Sequence, residues 1–256
     1  MAPQPEIARR NAILNALNSD QLSELVTKLE QVPLNLGDVL YQPNGAVEAI
    51  YFPITGVVSI IAELDADMTV EAASIGHEGM VGLTTFLDAG APTERALVQV
   101  PGQALRMTAD SFRAAATTDG PLYAALRRYT QAMLTQLARN AACNRVHSVR
   151  QRAARWLLMT ADRMNDLSFD LTQEFLAQML AVRRASVSDV AQSLAEEDCI
   201  TYSRGTITIL DRARLQDHAC DCYAAITQAA ERAAQPLTTA DTLSAVPADL
   251  HPADQE

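Results

Sequence analysis

Two adjacent arginines, Arg183 and Arg184, begin a short amphipathic pattern in the second half of the chain, over about 184–197. A similar pattern over about 173–180 precedes it, and about three residues separate the two. Two short helices joined this closely are typical of a helix-turn-helix, whose second helix lies in the major groove of DNA. A guanidinium there suits guanine O6 and N7, with about 1–3 kcal/mol of base discrimination. The residues predicted to contact DNA are Thr172, Gln173, Arg183, Arg184, Ser186, Ser188, Asp189 and Arg204.

The segment ITYSRGTITIL, residues 200–210, alternates around Ser203-Arg204-Gly205 and predicts a β-hairpin. Such a hairpin would form the wing of a winged helix-turn-helix, with Arg204 at the tip positioning the DNA backbone. The alternative for these segments is an ordinary helical hairpin with a solvated polar face.

The charge distribution favours a polyanionic partner for this region, although the whole chain carries a net charge of -11. Residues 139–214 hold 11 Lys and Arg against 9 Asp and Glu. Residues 1–138 hold 8 against 15, and residues 215–256 hold 1 against 7. Because local charge is what a polyanion meets first, double-stranded DNA is the predicted partner.

The first half of the chain supplies the elements that would support this DNA-binding region. Residues 32–107 contain short β-favouring runs between many glycines and prolines, which predicts an antiparallel, jelly-roll-like β-barrel. The segment ELDADMTV is expected to be a hairpin tip. The predicted class is α+β. Its parts are an N-terminal segment (1–19), the barrel (20–119), a long dimerisation helix (120–147), the winged helix-turn-helix (148–214), and a C-terminal helix with an acidic disordered tail (215–256).

The long helix, from about Pro121 to about Val146, carries a seam with a period near 3.5 residues, which predicts a coiled-coil dimer. The alternative is a helix that packs on its own barrel. The predicted dimer contacts are Leu122, Leu126, Tyr129, Met133, Leu137, Asn140 and Asn144.

Several classes of protein are disfavoured. No run of about 18 apolar residues predicts a membrane span, and the N-terminus lacks a signal-peptide pattern, so a cytoplasmic protein without a membrane partner is expected. The predicted barrel contains His77 as its one histidine, too few for a metal-dependent oxygenase, and neither a Gly-x-Ser-x-Gly nor a Gly-x-x-x-x-Gly-Lys motif occurs. No catalytic residues are predicted.

The four cysteines are too sparse for a disulfide framework. Cys199, His218, Cys220 and Cys222 match no common zinc spacing, and Cys-x-Cys does not place two ligands on one helical face, so no metal site is predicted. Cys143 is the better redox candidate, or simply a small apolar residue at a helix seam. Whether Cys143 or the Cys220/Cys222 pair senses redox state or metal stays open.

The order of barrel, long helix and winged helix-turn-helix resembles the Crp/Fnr family of bacterial transcription regulators over roughly residues 15–215. GDVLYQPN and YFPITGVVSII look like its early barrel strands, and residues 171–211 look like its DNA-binding segment. The resemblance implies a homodimer on a near-palindromic operator, a barrel that senses an effector, and RNA polymerase as a further partner. A protein-interaction scaffold that does not bind DNA specifically is the alternative.

The sequence departs from the family's two best-known sensing patterns. Cyclic-nucleotide-binding members carry a Gly-Glu-Leu/Ile cassette followed closely by an arginine, whereas this chain reads GHEGMVGLTTFLDAGAPTERALVQV. No cysteine precedes Cys143, so the iron–sulfur pattern is absent. No cofactor is predicted, and a cyclic nucleotide is disfavoured. The candidate effector contacts, for an effector that is not identified, are His77, Glu78, Gly79, Met80 and Arg95.

Overall fold

Two antiparallel sheets, connected by two successive helices, form the framework of the chain. The computed structural model describes residues 3–64, 69–88 and 90–238. The strands of the first sheet are β1 (Glu30–Leu34), β2 (Val39–Tyr41), β3 (Ala49–Glu63), β4 (Thr69–Ile75) and β5 (Arg95–Thr108). The strands of the second are β6 (Ser168–Asp170), β7 (Ile200–Ser203) and β8 (Thr206–Ile209).

Eleven helices lie in the described residues. Their bounds are α1 (Pro5–Ala8), α2 (Ala12–Asn15), α3 (Ser19–Val26), α4 (Leu83–Leu87), α5 (Ala109–Ala115), α6 (Pro121–Val146), α7 (Val149–Met164), α8 (Gln173–Met179), α9 (Arg184–Glu196), α10 (Arg212–Asp217) and α11 (Cys222–Ala233). The α+β class is confirmed. None of these helices is long and apolar enough to cross a membrane.

The first sheet is not closed into a barrel, so the prediction of a barrel is wrong. Its order is β1-β5-β3-β4, with β2 also paired to β5, and within the described residues no ladder joins β1 to β4. Some of the glycines and prolines lie within long strands instead of separating short ones, namely Pro53 and Gly56 in β3 and Pro101 and Gly102 in β5. Gly56, at φ +86°, lies where the β3–β5 register shifts, and a Cβ there would come within 2.7 Å of the Val100 carbonyl oxygen. Such bulges bend a sheet without ending its strands.

The predicted dimer seam of α6 is mostly occupied by the chain's own N-terminal domain. Leu122, Leu126, Tyr129 and Met133 are buried in one core cluster with the first sheet. The Tyr129 hydroxyl donates to the Met80 carbonyl oxygen at 3.1 Å. The apolar stripe therefore packs within the chain, as the alternative stated, and a role of these four positions in a dimer stays a prediction.

The two seam asparagines are also used internally. Asn140 donates to the Ala72 carbonyl oxygen at 2.8 Å and accepts a hydrogen bond from Arg155 at 2.8 Å. Asn144 accepts one from Arg152 at 2.9 Å. Leu137 and Asn144 alone of the predicted set are exposed. Dimerisation itself stays a prediction.

Two predictions fall wholly or partly outside the described residues. Residues 65–68 of the expected hairpin tip lie there, as does the expected tail from residue 239 onward. The predicted C-terminal helix corresponds to α11, which packs against α6.

Candidate nucleic-acid interface and its connection to the N-terminal domain

A tight turn joins α8 to α9 and sets the angle between them. Ala181 adopts the left-handed conformation, φ +50°, where an L-residue costs about 1–2 kcal/mol relative to a right-handed one. The Val182 amide donates to the Ala177 carbonyl oxygen at 3.0 Å, which closes the turn. The buried residues Val187, Ala191 and Leu194 hold α9 on the core, so its opposite face is presented to solvent.

Three exposed arginines form the cationic part of this surface. Arg183 is the N-cap of α9 and makes no side-chain capping bond, while Arg184 is the first residue of the helix. Arg204 lies at the tip of the hairpin. None of the three forms an ion pair with a residue in the described part of the chain. Their guanidinium groups are therefore available to phosphates and base edges.

Four other arginines of the same region form ion pairs. Arg163 and Arg212 form ion pairs with Glu78 and Asp162. Arg150 and Arg214 do so with Glu197 and Asp211. Carboxylates thus neutralise these four arginines, whereas Arg183, Arg184 and Arg204 have no such partner among the described residues.

Two of the predicted DNA contacts bind each other. The Ser188 hydroxyl donates to Gln173 Oε1 at 2.6 Å, which fastens α9 to the first residue of α8. Thr172 caps α8 as expected, because its hydroxyl oxygen accepts from the Phe175 amide at 3.1 Å. Asp189 is exposed and Ser186 half-buried on the same surface. Contact of these residues with DNA stays a prediction. The structure shows that Thr172 caps α8 and that Gln173 and Ser188 hold α8 and α9 together.

The predicted hairpin is present. β7 and β8 are joined by Arg204 and Gly205, with φ of +52° and +87°, as two-residue hairpins of type I′ require. β6 adds a third strand against β8, which the sequence analysis missed because three residues are too few to show an alternation.

The predicted effector residues at 77–80 form a packing contact between the two domains. Arg163 of α7, 7% exposed, donates from Nε to Glu78 Oε1 at 2.7 Å. It also donates to Ser74 Oγ at 2.6 Å and to Gln136 Oε1 at 3.3 Å. Burial opposes ionisation of Glu78, but the Arg163 charge and backbone hydrogen bonds outweigh it and hold the pKa of Glu78 below its usual range. Glu78 also accepts from the Gly76 amide at 3.1 Å.

The glycines of this turn are required by close approach. A Cβ on Gly76 would lie 2.5 Å from Arg163 Cγ, and one on Gly79 would lie 2.5 Å from the Tyr129 ring. Met80 is fully buried, and His77 Nδ1 lies 3.4 Å from the Arg163 carbonyl oxygen. Arg95 pairs instead with Glu63, Nε to Oε1 3.3 Å. Glu78 and Arg95 therefore have separate partners, and a shared effector role for them stays untested.

A second buried contact connects the domains and was not predicted. Glu71 of β4, 8% exposed, accepts hydrogen bonds from Trp156 Nε1 of α7 at 3.1 Å and from Ser59 Oγ at 2.7 Å. Burial raises the pKa of Glu71, against the effect of these bonds and the nearby arginines. No spacing in the sequence relates a glutamate of a strand to a tryptophan 85 residues away.

A cavity of about 410 Å³ lies between the first sheet and α6. Its described lining is mainly apolar and includes Met133 and Leu137 of the helix. Glu63 and Glu94 also line it, and no arginine or lysine of the described residues does so. The hydroxyl of Thr84, which lines the same cavity, is buried and has no hydrogen-bond partner.

Three cysteines and a histidine also meet where α6 ends. The potential ligand atoms of Cys143, His147, Cys220 and Cys222 all lie within 4.8 Å of one another. The argument from helical spacing does not apply to Cys220 and Cys222, because Cys220 precedes α11 and Cys222 begins it. Cys199 and His218, which the sequence analysis grouped with them, lie instead beside Glu197.

Comparisons with known proteins agree with this arrangement. Residues 151–218 match the family model described as a Crp-like helix-turn-helix domain. Two curated relatives, from two strains of Mycobacterium tuberculosis, bear the name CRP-like cAMP-activated global transcriptional regulator. Each is 24% identical over 217 residues, which is 82% of this chain and 97% of the relative.

Solved structures show the same fold. FixK2 from Bradyrhizobium japonicum superposes with a TM-score of 0.64 at 17% identity, over 75% of this chain and 98% of that one. A putative Crp/Fnr regulator from Eubacterium rectale gives 0.63 at 16% identity, over 82% and 98%. The c-di-GMP-responsive global regulator CLP from Xanthomonas campestris gives 0.61 at 16% identity, over 76% and 100%.

The winged helix-turn-helix, with its exposed arginines, and these matches define the protein as a DNA-binding transcription regulator. Residues 151–218 contain a Crp-like helix-turn-helix domain.

Proposed function

We propose that the protein binds an inverted-repeat operator as a homodimer and regulates RNA polymerase at promoters that contain it. The observation that carries this proposal is the set of exposed arginines at the start of α9 and at the wing tip, which have no ion-pair partner among the described residues. A dimer would present two such surfaces about one DNA turn, roughly 34 Å, apart.

The dimer face proposed is the exposed stripe of α6. Its members recur at intervals of 4, 3, 4, 3 and 4 residues, the repeat that two supercoiled helices need. The stripe consists of Arg127, Gln131, Leu134, Ala138, Ala141 and Arg145, all exposed. Leu134, near the centre of the stripe, is 55% exposed. Ala138 and Ala141, which follow it in the stripe, permit close approach of a second helix.

Replacing Leu134 with arginine is expected to convert the dimer to a monomer, because two charges would face each other at the centre of the seam. Light scattering after size-exclusion chromatography measures the mass. Leu36→Arg, at a leucine 68% exposed outside α6, is the matched control and should remain dimeric. A dimeric Leu134→Arg would show that another surface forms the dimer.

We propose that the cavity between the sheet and α6 receives a largely apolar effector and not a cyclic nucleotide. The Mycobacterium tuberculosis relatives are named as activated by cAMP. The described lining here offers the carboxylates Glu63 and Glu94 and no arginine or lysine, so it would repel the negative charge of a cyclic phosphate. The unpartnered Thr84 hydroxyl supplies one polar contact.

Titration calorimetry with cAMP and cGMP up to about 1 mM is therefore expected to show no saturable heat. This result would mean a Kd above about 1 mM, which corresponds to a binding free energy weaker than about 4 kcal/mol. Micromolar binding of either nucleotide would contradict the proposed class of effector. Binding that disappears in Glu78→Gln or Arg95→Ala would place the nucleotide at those residues instead.

Fluorescence anisotropy with promoter DNA, measured at several salt concentrations, tests the proposed function. A reader should bind operator more tightly than scrambled DNA, and log K should fall by about 0.9 per phosphate contact for each unit of log salt. Equal, weak binding to all duplexes would favour the interaction scaffold.

A further inference from the structure

The cluster of Cys143, His147, Cys220 and Cys222 has the composition of a metal site. Cys143 and His147 are four residues apart, one turn of α6 and its C-cap, so they project from the same side. Cys220 and Cys222 flank Asp221 at the start of α11. Three cysteines with one histidine is an established ligand set for structural zinc.

The separations between these atoms fit one small ion. Zinc–sulfur bonds of about 2.3 Å and zinc–nitrogen bonds of about 2.0–2.1 Å place the corners of a tetrahedron about 3.5–3.8 Å apart. Cys143 Sγ and Cys220 Sγ are 3.5 Å apart, and Cys222 Sγ and His147 Nδ1 are 3.8 Å apart. The remaining pairs lie within 4.8 Å. A multi-iron cluster would hold its thiolates further apart than a single ion does.

The burial and the hydrogen-bond partners of the cluster are typical of a structural metal site. The three thiols, 0 to 5% exposed, form a buried cluster distinct from the two apolar cores, so they do not serve as ordinary hydrophobic filling. His147 Nδ1 faces Cys222, while its Nε2 lies 3.7 Å from the Asp221 carboxylate. Metal-bound histidines commonly direct their second nitrogen toward such a carboxylate.

The local charge also suits a zinc–thiolate centre. Three thiolates and one Zn²⁺ carry a net charge of about -1. Arg152 and Arg155 of α7 are buried and close enough to Cys143 to act on it electrostatically, and each has an Nε without a hydrogen-bond partner. Their charges offset that of the centre.

A second group of potential metal ligands has no room for a metal ion. Glu197, Cys199 and His218 also place their ligand atoms within 4.8 Å of one another. There, Arg150 Nη2 forms hydrogen bonds with both Glu197 and His218, at 2.5 Å and 3.2 Å, so a cation already occupies the position.

We propose that Cys143, His147, Cys220 and Cys222 bind one zinc ion, which clamps α11 to the joint between the N-terminal and DNA-binding domains. α6 ends at Val146, and Ser148 caps α7, so the ion would sit where the two domains connect. Binding converts three thiols and a neutral imidazole to a tetrahedral complex and releases three protons, with no change of oxidation state. This site is independent of the proposed dimer and operator.

Metal analysis of the full-length protein, purified without chelators, tests the proposal. One zinc per chain is expected, and Co²⁺ exchanged into the site should give the intense visible bands of tetrahedral thiolate coordination. Cys220→Ser and Cys222→Ser should each lose the metal. Cys199→Ser removes a buried thiol outside the cluster and should keep it.

Thermal unfolding of the wild-type protein gives a readout that needs no variant. Adding zinc to metal-free protein at about a thousandfold excess over its Kd should raise Tm by roughly 10 °C. A Tm that does not respond to zinc would overturn the proposal. So would a Cys143–Cys220 disulfide in the protein as isolated, or iron with acid-labile sulfide in place of zinc.

Discussion

Replacing Arg183 and Arg184 together with alanine is expected to weaken operator binding by about 100-fold. Each arginine is exposed and has no ion-pair partner in the described chain, so each can contribute a charge-assisted hydrogen bond to DNA. Loss of one bidentate base contact costs about 1–3 kcal/mol, and every 1.4 kcal/mol is a factor of ten. Anisotropy with operator duplex at fixed salt measures the change.

Single variants separate the affinity that comes from base recognition from the affinity that comes from backbone contacts. Arg184→Ala should lose affinity for operator more than for scrambled DNA, whereas Arg204→Ala at the wing should weaken both alike. Arg113→Ala, at an exposed arginine of α5 paired with Asp110, is the control and should change neither. Equal losses on operator and scrambled DNA for Arg184→Ala would show that this residue reads no base.

Replacing Arg163 with alanine is expected to lower the free energy of unfolding by about 3–5 kcal/mol. Its guanidinium is 7% exposed and binds Glu78, Ser74 and Gln136, so its removal leaves the partly buried Glu78 carboxylate without its counter-charge. Because it connects α7 to the N-terminal domain, the variant should also unfold less cooperatively. Urea denaturation followed by circular dichroism measures both effects.

Arg212→Ala is the matched control, since its ion pair with Asp162 is 40% and 32% exposed and should cost less than about 1 kcal/mol. The pH dependence gives a further check. The folded-state pKa of Glu78 is lowered, so the stability from its ionised form is present above the ordinary carboxyl pKa and is lost as pH falls through the lowered value. The difference between wild type and Arg163→Ala should therefore shrink in acid. A constant difference would assign the loss to packing.

The DNA-binding half of the chain was predictable because its signals are local. Thr172 caps α8, and the Arg204-Gly205 pair makes the turn of the wing, both within a few residues of the elements they set. The observed α9, Arg184–Glu196, ends one residue from its predicted end. The long helix was also correctly placed, since a proline start and a continuous apolar stripe suffice to define it.

The sequence did not predict which surfaces pack against each other. The apolar stripe of α6 has the same period whether it packs on a second chain or on its own sheet, and Tyr129 and Met133 do the latter. Glycines such as Gly56 looked like strand ends but lie within bulged strands. Cys143 and Cys220 are 77 residues apart, and only the packing of α11 on α6 brings them to 3.5 Å.

Selection of duplexes from a random DNA pool by the purified protein, at about 150 mM salt, tests the central claim most directly. An inverted repeat with half-sites about 10 base pairs apart, centre to centre, is the expected result, and its enrichment should disappear in the double variant Arg183→Ala, Arg184→Ala. Enrichment of a repeat that the double variant still recovers would contradict the assignment of α9 as the reading helix. Failure to enrich any sequence would contradict specific DNA recognition by this chain.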